Sequence, residues 1–176
     1  MRSDPLYPWI FAVCMIAPLL LARSALAAPA GLAPAVGAAI DAAAARGLPT
    51  ERLVLKAREG AAKGVPEPAV AAAVGELAER MGRAEAVLGA AAAGADRVPM
   101  LEAGAAAIRV GVSSGAMVRV ASRPPFERAA ALRAVGDLVG IGLSEDASVA
   151  LTERASASGV GGVPVEELAA IVAGLM

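Results

Sequence analysis

The chain has 176 residues; 57% are hydrophobic and only 2% aromatic, with 16 basic against 17 acidic side chains and no histidine. So even a charge balance argues against a nucleic-acid partner, which calls for a strong basic excess. Without histidine, and with Cys14 as the one cysteine, the chain holds no imidazole base, no histidine or multi-cysteine metal site and no internal disulfide.

Met1 to Ala27 has the layout of a secretory signal: Arg2, an apolar run from Leu6 to Ala22, then the small residues Ala25-Leu26-Ala27 before a cut that leaves Ala28 first. Pro8 and Pro18 interrupt the run, which is short for a membrane span, so an uncleaved anchor is the secondary reading. Cleavage removes Tyr7, Trp9, Phe11 and Cys14 and leaves residues 28–176 as one domain with Phe126 as its sole aromatic. The expected location is periplasmic or secreted.

From Leu32 to Arg46 alanine dominates, and Leu32, Val36, Ala39, Ile40 and Ala43 share one face, which predicts a first helix ended by Gly47. Thr50 or Pro49 opens the next, where Leu53, Val54, Ala57 and Ala61 fall on one side and Arg52, Lys56, Glu59 and Lys63 on the other. Gly64-Val65-Pro66 stops it. A longer helix follows from Glu67-Pro68, with Val70, Val74, Leu77, Met81, Ala84 and Leu88 as a four-three packing seam, and Glu76–Arg80 and Glu79–Arg83 as exposed i, i+4 pairs. Gly75, Gly82 and Gly89 recur every seven residues along it, and each is expected where a neighbouring backbone comes close.

After Gly94 the pattern predicts a helix from Met100, a stop at Gly111-Val112-Ser113, a break at Pro124-Pro125 and a helix from Phe126 to Val139. Ser144 caps a further helix with Glu145 and Asp146 in its first turn, and Gly162-Val163-Pro164 precedes a last one ending at Met176. Gly47, Gly94 and Gly142 set a period of about 47 residues, within the range of helical repeats. The expected fold is therefore all-α: an array of short helices in three related units at 47–93, 94–141 and 142–176. A β-hairpin over 108–120 is the alternative, because Ile108, Val110 and Val112, then Val118 and Val120, alternate around Ser113-Ser114-Gly115.

Gly111-Val112-Ser113-Ser114-Gly115 matches the G-x-S-x-G pattern of hydrolase nucleophiles, yet a serine needs an adjacent base, and Lys56 and Lys63 stand in no S-x-x-K arrangement. A helix turn explains it better. The G-x-x-x-G spacings at Gly60–Gly64, Gly111–Gly115 and Gly136–Gly140 sit among charges and read as turns and close contacts rather than a membrane motif. Glu145-Asp146 and Glu166-Glu167 complement helix dipoles rather than bind metal. No cofactor is expected and no catalytic residue can be assembled.

Arg46 to Lys63 is the densest basic stretch, and Arg52, Lys56 and Lys63 make the candidate face for an anionic partner. The reading that results is an exported, non-catalytic helical-repeat protein that binds a protein of the cell envelope or serves as a structural module there. Attachment to a membrane surface, through an uncleaved N-terminus or the basic face, is the second reading; an enzyme is the third.

Overall fold

A computed structural model describes residues 31–122, 125–158 and 168–174. The signal-like segment 1–27, the glycines at 159–162 and the Glu166-Glu167 pair lie outside them. Among the described residues there are eight α-helices and no strand: α1 (Pro34–Ala45), α2 (Glu51–Ala62), α3 (Glu67–Leu88), α4 (Arg97–Arg109), α5 (Ser114–Ala121), α6 (Pro125–Gly140), α7 (Glu145–Ser158) and α8 (Leu168–Ala173). Two short 3₁₀ turns, Gly89–Ala92 and Gly94–Asp96, lead from α3 into α4.

Four helices end in the same way, and glycine is the cause. At Gly47, Gly64, Gly111 and Gly142 the backbone takes a positive φ of 75°, 67°, 90° and 102°, a region that costs an L side chain energy. The following N–H then reaches back across the last turn: Leu48 to the Ala43 carbonyl at 3.1 Å, Val65 to Gly60 at 3.0 Å, Val112 to Ala107 at 3.0 Å and Leu143 to Leu138 at 3.1 Å. These are Schellman ends, which satisfy carbonyls that a helix otherwise leaves unpaired. They reverse the chain within a few residues, and Leu48 and Val112 tuck into the core as they do so.

The same device removes the hairpin alternative at 108–120. Gly111 terminates α4, and Ser113 caps α5 by accepting the Ala116 N–H at 3.2 Å, so Ile108 to Val112 closes a helix instead of forming a strand.

α4 is the central element. Met100, Leu101, Ala103, Gly104, Ala105 and Ala107 are all buried, and the helix packs between α3 and α6. α1 and α2 lie against α3, and α7 and α8 against α6. The seam of α3 runs through Val70, Val74, Ala78, Met81, Ala84 and Leu88. Leu77, expected on it, is only half buried, and Ala78 takes its place. The step is thus four-four-three-three-four: α3 faces α1 and α2 on one side and α4 on another, so no single coiled-coil stripe serves it.

The heptad glycines of α3 are not close-packing sites. A Cβ built at Gly75 would meet nothing within 4 Å, one at Gly82 would meet only the end of Arg46 at 3.9 Å, and Gly89 ends the helix with φ of 50°. Close approach occurs elsewhere. A Cβ at Gly104 would stand 2.7 Å from the Ala84 Cβ, one at Gly60 2.8 Å from Val70 Cγ2, and one at Gly136 3.4 Å from the Ala107 Cα. Ala84 and Ala107 are themselves fully buried, so the helices meet through methyl groups and bare backbone.

Polar contacts tie the helix ends. Arg97, opening α4, donates from its Nη2 to Glu85 at 2.6 Å and to the Gly47 carbonyl at 2.8 Å, holding α4, the end of α3 and the α1–α2 turn together. Arg46 pairs with Glu79 at 2.7 Å, so Glu79 is engaged across to the end of α1 and not with Arg83 one turn along. α7 is held differently. Its buried side chains include Ser148 and Thr152, which donate to the carbonyls of Ser144 and Ser148 within their own helix at 2.9 and 2.8 Å. Such hydroxyls add little apolar burial and tend to bend a helix.

Two glycine replacements separate these environments. Gly104→Ala should destabilise by about 1–3 kcal/mol, because the new methyl meets Ala84, which has no rotamer to yield. Gly75→Ala, in open space within α3, should stabilise by about 0.5–1 kcal/mol. Urea unfolding of the two variants measures both signs.

Candidate functional site

α2 is the most clearly amphipathic of the long helices. Leu53 and Ala57 point into the core with essentially no exposure, and the opposite stripe, Arg52, Lys56, Glu59 and Lys63, is open to solvent. This stripe forms one wall of a groove. α3 supplies the floor and a second wall with Ala73, Leu77 and Arg80. α4 adds Glu102, Ala106, Arg109 and Val110, and α6 adds Arg133 and Asp137 at the far rim. The main cleft has a volume of about 450 Å³, within the range of small-ligand and peptide sites. A smaller apolar depression of about 130 Å³ continues it between Gly60, Val65, Ala69 and Val70. Lys56, Glu59 and Ala73 line both, so the two are one continuous groove.

Its length follows from α3. Ala69 stands at the apolar end and Arg80 at the charged end, which at 1.5 Å per residue places them about 16 Å apart. The depth follows from small residues: Leu77 leans half-exposed into the groove, and α4 offers alanines there, so the floor is low and apolar.

The charges fall into two groups. Glu59 takes Lys63 at 2.5 Å and Lys56 at 3.5 Å, and Arg80 meets Glu76 at 3.5 Å. The Lys63 ammonium, hydrogen-bonded to the Glu59 carboxylate, holds that carboxyl below its ordinary value, and the charge of Lys56 lowers it further. Arg52, Arg109 and Arg133, by contrast, form no ion pair among the described residues, and neither do Glu102 and Asp137.

The structure therefore places all three residues of the candidate basic face, Arg52, Lys56 and Lys63, along one groove, but not as equals. Two of them share one carboxylate, and Arg52 alone is unmatched. Sequence reasoning missed Arg109 and Arg133, which lie far downstream on other helices and reach the groove only because α4 and α6 pack beside α3. No local pattern marks them.

The other motif candidates have structural employment. Ser113 Oγ donates to Glu145 at 2.8 Å while the Ser113 N–H reaches the other oxygen of the same carboxylate at 2.5 Å, which links the start of α5 to the start of α7. Asp146 meets Arg119 at 3.2 Å. Among the described residues no group of three acidic, cysteine or histidine side chains could hold a metal ion, and no helix is long and apolar enough to cross a membrane. Comparison with protein-family models, with curated proteins and with solved structures gives no match.

The Glu59 carboxyl offers a pH readout of the groove wall. Because its folded pKa is depressed, the pairing contributes above the ordinary value of 4.5 and is lost as pH falls through the lowered one. In an NMR titration Glu59 should protonate below 4.5, and Lys63→Ala should move it upward toward that value. An unchanged Glu59 midpoint in that variant would mean that Lys63 does not hold it.

Proposed function

We propose that the protein is an exported, non-catalytic array of helical repeats that binds another polypeptide of the cell envelope in the groove between α2, α3, α4 and α6. The observation that carries this reading is the groove itself: elongated, apolar along its floor, charged along its walls, and assembled from four helices rather than from one catalytic cluster. Helical arrays characteristically present such extended concave surfaces.

The repeat reading draws support from buried positions that recur with the period. Leu53 and Ala57 on α2 correspond to Met100 and Gly104 on α4 and to Ser148 and Thr152 on α7, all buried. Val70 and Val74 on α3 correspond in the same register to Met117 and Ala121 on α5, and Ala84 and Leu88 to Ala131 and Val135 on α6. On this reading α5 and α6 together are the counterpart of α3, divided where Pro124-Pro125 forbids a continuous helix. The helix-ending glycines 64 and 111 fall 47 positions apart in that alignment. Each unit on its own buries too little, and stacking supplies the shared core.

A photo-crosslinking amino acid placed at Ala106, exposed at the edge of the groove, should capture a discrete polypeptide in living cells, and the same group at Ala86, exposed away from it, should not. The protein itself should begin at Ala28 by intact mass. Equal adducts from both positions, or none from either, would contradict the groove reading, and retention of Met1 would contradict export by cleavage.

A further inference from the structure

We infer that the groove receives an extended segment carrying a single carboxylate and, about four residues away, one apolar side chain; this rests on the groove being a polypeptide site. The charge pattern is the starting point. Five cations line the main cleft, Arg52, Lys56, Arg80, Arg109 and Arg133, against four carboxylates, Glu59, Glu76, Glu102 and Asp137. Glu76 matches Arg80, and Glu59 is shared between Lys56 and, more closely, Lys63 of the adjoining apolar depression. In the main cleft three unpaired arginines then face two unpaired carboxylates, an excess of one positive charge there, and Lys63 adds a second at the apolar end.

A guest with one carboxylate balances the excess in the main cleft. Arginine suits the task, because its planar fork accepts a carboxylate through two parallel hydrogen bonds. Glu102 and Asp137 restrict what else can enter: they repel a polyacidic strand or a sheet of lipid phosphates, but they can accept the backbone N–H groups that an extended polypeptide presents. An extended polypeptide offers both kinds of group along one line.

The apolar end fixes the second feature. Val65 is an exposed large hydrophobic beside Gly60, and with Ala69 and Val70 it makes an apolar seat, rimmed by Lys56, Glu59 and Lys63, at the end of the groove remote from Arg80. In a segment extended at about 3.3 Å per residue, residues i and i+4 lie about 13 Å apart, which fits within the ~16 Å between the two ends. Residues i and i+4 of an extended segment point the same way, so an apolar residue seated by Val65 and an acidic one among the arginines lie on one face of the guest.

The probe is a rhodamine-labelled octapeptide of alanine with one leucine and, four residues on, one glutamate, amidated at its C-terminus and followed by fluorescence anisotropy. It should bind the full chain. Replacing its glutamate by glutamine, or using the Arg109→Ala/Arg133→Ala variant, should weaken binding at least tenfold, and Val65→Ser should weaken it severalfold. Arg58→Ala, on exposed α2 surface outside the groove, should leave it unchanged. The double variant removes exposed, unpaired side chains, and an unaltered unfolding curve certifies its fold. If glutamate and glutamine peptides bind alike, or the double variant binds like the parent, the carboxylate assignment is overturned while a polypeptide groove survives. If no peptide binds, the inference fails; and if vesicles of phosphatidylglycerol and phosphatidylcholine bind instead and depend on Arg109 and Arg133, the groove faces lipid and the polypeptide reading fails with it.

Discussion

The contact between Gly104 on α4 and Ala84 on α3 is the constraint on which the rest of the packing depends. A methyl group added at Gly104 would stand 2.7 Å from the Ala84 Cβ, so the two helices meet with no side chain between them at that point. The larger residues, Leu88 and Met117, close around the contact at 3.2 Å from the same position. On the other side of α4, Gly136 of α6 approaches the Ala107 Cα. A chain with one aromatic residue beyond its first 27 positions builds its core by bringing backbones near and filling the margins with Met and Leu, here Met81, Met100, Leu101, Met117, Leu132 and Leu138. Dispersion and burial per residue are modest in such a core, and they depend on close fit.

This packing also makes the groove. Where α3 and α4 carry alanine toward solvent, the surface is low, and the long side chains of α2, α4 and α6 stand around it as walls. α7 differs in burying hydroxyls as well as apolar side chains. Ser148 and Thr152 are buried there beside Val149, and they return their hydrogen bonds to their own backbone.

Helix content and helix ends were legible in the sequence because glycine and proline act locally: a positive φ at Gly47, Gly64, Gly111 or Gly142 is a property of that residue and its turn. The register of α3 was nearly so, failing at Leu77, because a helix that packs against α1, α2, α4 and α5 does not keep one seam. The roles of the glycines were misread. Gly75 and Gly82 carry the heptad spacing but face open space or solvent; of the close contacts, Gly60 and Gly136 fall in G-x-x-x-G spacings and Gly104 in no pattern. Glu79 likewise pairs with Arg46 rather than Arg83, since tertiary proximity competes with the i, i+4 neighbour at little cost on an exposed surface. Half of the groove was readable, because Arg52, Lys56 and Lys63 lie on one helix; Arg109 and Arg133 join them only through the packing of α4 and α6.

If close packing around α4 holds the molecule together, stability should be graded outward from it. Native-state hydrogen exchange measures that gradient directly. The amides of α4 around Gly104 and the facing turns of α3 should exchange only through global unfolding, and those of α7 and α8 through openings of much lower free energy. Protection in α7 equal to that in α4, or exchange at Gly104 and Ala105 faster than in α7, would contradict the account.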